Sequence, residues 1–233
     1  MRSEFLKGLG HGVPIALGYL SVSFGIGIMA VKAGISINAA VIMSAVNLTS
    51  AGQAAGIGII ASGGALIEMI LAQFTINLRY SLMSLSLSQK LDSSFTLPQK
   101  LIASFGVTDE IFAVAVSRPN RLTAQYMYGL ILMPMIGWTL GTFIGAFAGE
   151  LLPPLIANAM SIMLYGMFIA IIIPPSRREK NVFIVVLAAA AFSCVFKFFL
   201  PGVSGGFAII ISAVAASVIG AIFFPIKEVR NEK

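Results

Sequence analysis

One arginine inside a long apolar segment constrains this chain more than any other feature. Residues 64–87 form an apolar run long enough to cross a bilayer as a helix, yet Asn77 and Arg79 lie near its middle. An arginine at membrane depth costs at least about 2.5 kcal/mol unless it faces protein, water or an acid. We therefore expect a central helix in a bundle that encloses a polar cavity. The alternative is that Arg79 extends to an interface and the serines of the run only pack helices.

Helical periodicity gives this run two polar faces. One face carries amides and serines: Gln73, Asn77, Ser81, Ser84 and Ser88. The roughly opposite face carries Glu68, Thr75, Arg79 and Ser86. Neither polar face can lie against lipid, so the helix is expected to be surrounded by other helices.

Composition sets the class of protein. The 233 residues are 58% hydrophobic and 10% charged, whereas a soluble domain has about 25% charged residues. The chain is therefore predicted to be all-α, a single polytopic membrane domain over residues 1–233. The single cysteine, Cys194, excludes an internal disulfide, and the single histidine, His11, argues against a histidine-rich metal site. No metal or cofactor is expected.

Hydropathy divides the chain into seven or eight transmembrane segments. The expected segments are residues 13–31, 38–61, 64–87, 101–117, 126–149, 156–173, 181–200 and 204–224. The net charge of +6 lies in loops and tails, as membrane orientation requires, and does not point to nucleic acid.

The segment 101–117 is the ambiguous one, because it carries Asp109 and Glu110 in its middle. If it crosses, the main basic clusters all fall on one side, and both termini are cytoplasmic. We expect it to cross, although Lys90 and Lys100 then lie outside. A re-entrant segment is the alternative.

The second segment is expected to be broken. Its centre reads Asn47-Leu-Thr-Ser-Ala-Gly-Gln53, and the hydroxyl groups with Gly52 favour a break at membrane depth. Transporters use such breaks because the freed N–H and C=O groups can bind ions or zwitterions. An unbroken helix with a small-residue packing face is the alternative.

Residues recur weakly at an offset of 120 positions, among them Pro14 with Pro134 and Gly25 with Gly145. This pattern predicts a duplicated four-helix unit with halves 8–117 and 121–226, a symmetry common in secondary transporters. No HExxH, GxSxG or P-loop motif occurs in the sequence, so we do not expect an enzyme.

Four motifs follow one another in the first half of the chain. They are GLGHGVPIALGYLSVSFGIG, SAVNLTSAGQ, NLRYSL and the triplet Thr108-Asp109-Glu110. In order and spacing they resemble the AzlC-like family, the large subunit of bacterial branched-chain amino acid exporters. The family often has histidine after Asn-Leu-Arg, where this chain has Tyr80.

The resemblance implies a secondary exporter of leucine, isoleucine, valine or their analogues in the bacterial plasma membrane. It also implies a small AzlD-like membrane partner. Proton coupling is expected, because the chain shows no nucleotide site. The alternative is a channel-like or non-transporting subunit of a two-component complex, whose partner carries the transport site.

The candidate site residues fall into two groups. Those expected to bind the amino acid are Asn47, Gly52, Gln53, Asn77 and Arg79. Those expected to couple transport to protons are Asp109 and Glu110. Each of these polar groups is costly alone at membrane depth, so all are expected to converge in one water-accessible site.

Overall fold

The computed structural model describes residues 2–153 and 172–224, with the positions 155, 166 and 169 between them. Its helices are α1 (Arg2–Lys32), α2 (Ile37–Val46), α3 (Ser50–Ala61), α4 (Leu66–Ser88), α5 (Leu97–Phe105), α6 (Asp109–Ser117), α7 (Ala124–Leu151), α8 (Lys180–Phe199) and α9 (Gly205–Phe223). Residues 172–178 are also helical. The predicted segment 156–173 lies mostly outside the described residues, and so does the tail after Phe224.

Long apolar helices confirm the prediction of a polytopic helical membrane protein. In the described part of the chain, four helices are long and apolar enough to cross a membrane: α1, α7, α8 and α9. Helix α4 has 23 residues, about 34 Å at 1.5 Å per residue, and so also has the length to cross. Its polar residues are what lower its hydropathy.

Helices α1 and α7 form a closely packed parallel pair. A Cβ added at Gly137 would lie 2.4 Å from the carbonyl oxygen of Ala16, and one added at Gly145 would lie 2.0 Å from that of Phe24. Only glycine allows backbones to approach this closely. The face of the bundle where α1 and α7 begin is called the N-face below, and the face where they end is called the C-face.

The predicted break in the second segment is present. Helix α2 ends at Val46 and α3 begins at Ser50. Between them Thr49 is extended, and its side-chain oxygen accepts a hydrogen bond from the Gly52 N–H at 3.3 Å. A threonine N-cap satisfies one of the free N–H groups at a helix start, and this explains why the helix restarts here.

This break turns the chain back, so α2 and α3 form a re-entrant hairpin. Helix α2 starts at the C-face, just after the turn that follows α1. Helix α3 runs antiparallel to α4, with Gly56 against Gln73 and Gly64 against Glu68 at the start of α4. The expectation that residues 38–61 cross the membrane was therefore wrong: both ends of the hairpin lie at the C-face.

The expectation that residues 101–117 cross was also wrong, and the re-entrant alternative describes this segment. The chain before α5 pairs with the chain after α6 through the bridge between Leu91 and Leu122. Asp92 N–H donates to the Leu122 carbonyl at 2.8 Å, and Leu122 N–H donates to the Lys90 carbonyl at 3.0 Å. Both ends of the α5–α6 hairpin therefore lie at the N-face, where α7 begins.

The tip of the α5–α6 hairpin reaches the middle of the bundle, because Thr108 Oγ1 lies 2.6 Å from the hydroxyl of Tyr19, near the middle of α1. A Cβ added at Gly106 would lie 2.2 Å from Ile131 Cγ2, about two turns into α7. Helices α5 and α6 have 9 residues each. That is about 13 Å, less than half of a hydrocarbon core about 30 Å thick. The hydropathy of an apolar segment is the same whether the segment crosses the membrane or folds back. In this sequence only the interruption between Gly106 and Thr108 distinguishes a re-entrant hairpin from a crossing helix.

Helices α8 and α9 complete the described part of the bundle. The Gly206 N–H at the start of α9 donates to Glu68 Oε1 at 2.7 Å, which places this start at the C-face. Gly220 faces Val185, so α8 runs antiparallel to α9 and begins at the N-face. The second of the two predicted repeat halves is only partly described, and the repeat stays a prediction.

Glu68 is expected to be a determinant of stability. It is 2% exposed, lies in the first turn of α4 and caps α9, so its carboxylate meets two helix starts. Glu68→Ala should lower the free energy of unfolding by about 1.5–3 kcal/mol, because it leaves the Gly206 N–H buried without an acceptor. Glu68→Gln keeps an acceptor oxygen and should lose less. Thermal unfolding in detergent measures this, and equal melting of all three proteins would contradict it.

Candidate functional site

A cavity of about 450 Å³ lies where the tips of the two hairpins meet, between α1, α4 and α7. Its polar lining includes Tyr19, Thr49, Arg79, Thr108, Asp109 and Glu110. The volume falls within the range of roughly 300–1,000 Å³ that is usual for small-molecule sites. The two opposed hairpins thus bring a cluster of polar side chains to a cavity at the middle of the bundle.

Arg79 projects from the middle of α4 into this cavity and pairs with the start of α6. Its Nη1 lies 2.5 Å from Asp109 Oδ2, and each of the two side chains is 43% exposed. Nη2 donates to the Tyr80 hydroxyl at 3.1 Å, and the guanidinium carbon lies 4.7 Å from the centre of the Tyr80 ring. The pair faces open space and not packed protein.

Glu110 occupies the same helix start but has a different partner. The Tyr19 hydroxyl lies 2.5 Å from Glu110 Oε2 and 2.6 Å from Thr108 Oγ1, so it can donate to one of them at a time. The positive end of the α6 dipole favours negative charge on both acids of its first turn. Among the described residues that line the cavity, the charged ones are Arg79, Asp109 and Glu110, which leaves one surplus negative charge when both acids are ionised.

The apolar end of the cavity is closed by Trp138 from α7. Its ring meets the Tyr19 ring edge-on, with the centres 5.5 Å apart, and packs with Leu48 and Val22. The indole Nε1–H donates to Gln53 Oε1 at 3.0 Å. Tyr19 therefore connects the two ends, with its hydroxyl among the acids and its ring against the tryptophan.

The structure corrects the predicted position of Gln53. This side chain is fully buried, and its Nε2 donates to Ser44 Oγ at 2.6 Å while its Oε1 accepts from Trp138. Gln53 does not line the cavity. Residues two positions apart on a helix point about 160° apart, so Ala51 near the start of α3 faces the cavity while Gln53 faces α7.

Three other predicted residues also lie outside the cavity. The Gly52 carbonyl accepts from Gln73 Nε2 at 2.7 Å, which joins α3 to α4, and Asn77 Nδ2 donates to Gln73 Oε1 at 3.1 Å within α4. Asn47 ends α2 and is not part of the lining. The predicted convergence thus holds for Arg79 and the two acids of α6, whose roles stay predictions.

Sequence reasoning missed the aromatic residues and the two caps of this site. Tyr19 and Trp138 each lie in an apolar segment of the sequence. A buried hydroxyl or indole N–H needs a hydrogen-bond partner, so these two residues could have been predicted to contact other polar groups. Thr49 and Thr108 each precede a helix restart, a position that favours threonine. That both threonines cap helices at the tips of hairpins becomes clear only when the breaks before α3 and before α6 are known.

Comparison with known proteins identifies the family of this chain and agrees that it is a membrane protein. The profile of the AzlC family, described as AzlC protein, matches residues 14–152. The chain is 26% identical over 206 residues to the inner membrane protein YgaZ of Escherichia coli (strain K12), covering 85% of this chain and 84% of YgaZ. It is 31% identical over 172 residues to an uncharacterized membrane protein of Archaeoglobus fulgidus, covering 73% of this chain and 75% of that protein. No solved structure gives a significant match. This chain belongs to the AzlC family of membrane proteins.

Proposed function

We propose that this chain is the large subunit of a proton-coupled exporter of branched-chain amino acids, a transporter and not an enzyme, which works with a small AzlD-like membrane subunit. The observation that carries the proposal is the half-exposed Arg79–Asp109 pair beside Glu110, inside a cavity at the middle of a membrane bundle. A zwitterionic amino acid needs a cation for its carboxylate and an anion for its ammonium group. The cavity offers both within one space.

The exposure of the ion pair supports a binding role over a purely structural one. A buried structural pair is enclosed by protein, whereas Arg79 and Asp109 each keep 43% of their side-chain surface exposed. The planar guanidinium can hold a carboxylate through two parallel hydrogen bonds. A substrate carboxylate can therefore replace or join Asp109 on Arg79 without a rearrangement of α4.

The surplus acid supports a role in coupling. Asp109 has a cationic partner, whereas Glu110 meets the neutral Tyr19 hydroxyl. An unpaired carboxylate at membrane depth is costly, and either a proton or a substrate ammonium group removes that cost. Competition between these two occupants for the acids of α6 would link proton movement to amino acid movement in opposite directions.

Neutral variants of the two acids test the coupling. Asp109→Asn and Glu110→Gln, made separately, should reduce gradient-driven leucine efflux, and at least one of them should retain leucine exchange. The reason is that exchange needs binding and reorientation but no net proton transfer. Efflux and exchange are measured in vesicles at several pH values. If both variants keep full pH-dependent efflux, the coupling group lies elsewhere.

Charge distribution supports an orientation with the N-face in the cytoplasm. Basic residues of the described chain at or near the N-face are Lys7, Lys90, Lys100, Arg118, Arg121, Arg177, Arg178 and Lys180, whereas Lys32 and Lys197 lie near the C-face. Positive residues favour the cytoplasmic side. The re-entrant α5–α6 hairpin places Lys90 and Lys100 with the other basic residues. We propose that the chain lies in the bacterial plasma membrane with both termini cytoplasmic.

The proposal is tested by efflux of radiolabelled leucine from vesicles, with and without a pH gradient and with and without a candidate small partner. Efflux that needs the gradient and the partner would support it. Downhill flux without counterflow would instead indicate the channel-like alternative. Absence of leucine, isoleucine and valine transport under all four conditions would refute the proposed function.

A further inference from the structure

The cavity is amphipathic, with charged groups at one end and an apolar surface at the other. Arg79, Asp109 and Glu110 form the charged end. Trp138 and Leu48, with Val22 packed against them, form the apolar end. The Tyr19 side chain lies along both, because its hydroxyl contacts Glu110 while its ring contacts Trp138. A solute bound by its polar groups at the first end can therefore place its remaining atoms against the second.

Trp138 closes this apolar end from behind. It is only 2% exposed, although it is among the residues that line the cavity. Its ring is therefore the floor of the cavity and does not project into it. The depth available to a bound side chain is set by where this ring lies.

The ring is held in place by a chain of buried polar groups. Its Nε1–H donates to Gln53 at 3.0 Å, Gln53 donates to Ser44 at 2.6 Å, and the Ser44 and Thr142 hydroxyls are 2.7 Å apart. Moving the indole would leave the fully buried Gln53 oxygen without this donor, which is costly in an apolar interior. The floor is thus fixed, unlike one built from flexible methionines.

We propose that Trp138 is the residue that determines specificity for the substrate side chain. The inference rests on the proposed function and adds to it an orientation for the amino acid. The ammonium and carboxylate groups lie at Arg79 and the acids of α6, and the branched side chain contacts Leu48 and the floor. In this arrangement the ring limits the length of the bound side chain, so binding is expected to favour a short branched chain over an aromatic one.

The chain contains a single tryptophan, so Trp138 reports on its own site without labelling. The purified protein in detergent, alone and together with the candidate small partner, is titrated with leucine, valine, alanine and phenylalanine while tryptophan emission is recorded. Binding of radiolabelled leucine to the same preparation is measured in parallel. Leucine and valine should change the emission saturably, at the concentrations at which radiolabelled leucine binds. Phenylalanine should give no saturable change.

Variants then test the size limit. Trp138→Ala removes the floor and should improve binding of phenylalanine relative to leucine about tenfold or more, within the range by which apolar pockets discriminate side-chain size. Trp138→Phe keeps an aromatic ring and should shift the ratio of phenylalanine to leucine binding in the same direction by a smaller factor. This variant keeps the test valid if the alanine variant does not fold. Phe143→Ala is the matched control, because Phe143 lies on the same helix but outside this cavity.

The outcomes separate the inference from the proposed function. Saturable emission changes with leucine, together with relaxed selectivity in the Trp138 variants and not in Phe143→Ala, would support the inference. Binding of radiolabelled leucine without an emission change, or with unchanged selectivity in both Trp138 variants, would overturn the inference and leave the function intact. Failure of leucine and valine to bind, both to the chain alone and to the chain with the candidate small partner, would overturn both.

Discussion

Arg79→Lys is expected to lower leucine efflux at least tenfold while the protein still accumulates in the membrane. Lysine keeps the positive charge but loses the planar fork that holds a carboxylate through two hydrogen bonds. It also loses the contact that Arg79 makes with the Tyr80 ring. Solvent screens the charge of this half-exposed pair, so the expected loss comes from the lost geometry, and a tenfold loss corresponds to about 1.4 kcal/mol.

The Arg79 experiment needs a control for folding, because an ion pair with Asp109 can also stabilise the bundle. Thermal unfolding of Arg79→Lys in detergent separates the two roles. Arg121→Lys is the matched control, since Arg121 lies near the N-face, outside the cavity, and donates to the Leu91 carbonyl. Equal leucine efflux by Arg79→Lys and the parent protein would contradict the proposal that Arg79 holds the substrate carboxylate through two hydrogen bonds.

Gly145→Ala is expected to cause the largest loss of stability among single-methyl additions. The added Cβ would lie 2.0 Å from the Phe24 carbonyl oxygen, and backbone cannot move aside as a flexible side chain can. Overpacking costs about 1–3 kcal/mol and occasionally more, and a contact this short with backbone should reach the upper end of that range. The melting temperature and the folded yield in detergent are the measurements.

Gly10→Ala provides the matched comparison for this substitution. Gly10 lies on α1, the partner helix, and a Cβ added there would meet nothing within 4 Å. Alanine is also the better helix former by about 1 kcal/mol, so this variant should melt at or above the parent temperature. Similar melting of Gly145→Ala and Gly10→Ala would show that α1 and α7 are not packed as described.

The sequence predicted those features that are determined by residues close together in the chain. The polar residues between Asn47 and Gln53 indicated the break between α2 and α3, because threonine caps and glycine act within a few residues. The position of Arg79 indicated a cavity, because an uncompensated guanidinium is too costly in lipid. These inferences needed no knowledge of which helices are neighbours.

Features that depend on distant contacts could not be obtained in this way. The direction of α6 is set by the pairing of Leu91 with Leu122 and by the depth of Gly106 against α7. The roles of Gln53 and Asn77 depend on which side of each helix meets a neighbour, and hydropathy does not contain that information. A polar residue at membrane depth has to be satisfied, but it can be satisfied by protein as well as by substrate.

The hydrogen bonds that hold Trp138 have a consequence for the order in which the protein folds during its synthesis. Gln53 and Trp138 are 85 residues apart, and Ser44 and Thr142 are 98 apart, so the α2–α3 hairpin leaves the ribosome well before its partners on α7. At roughly 5–20 residues per second, the Gln53 amide waits about 4–17 s for the indole to be made. Until then the polar side chains of Gln53 and Ser44 lack these partners, and neither of the two short apolar helices of the hairpin is long enough to span the membrane. The first half of the chain can therefore reach its native arrangement only after α7 has been inserted.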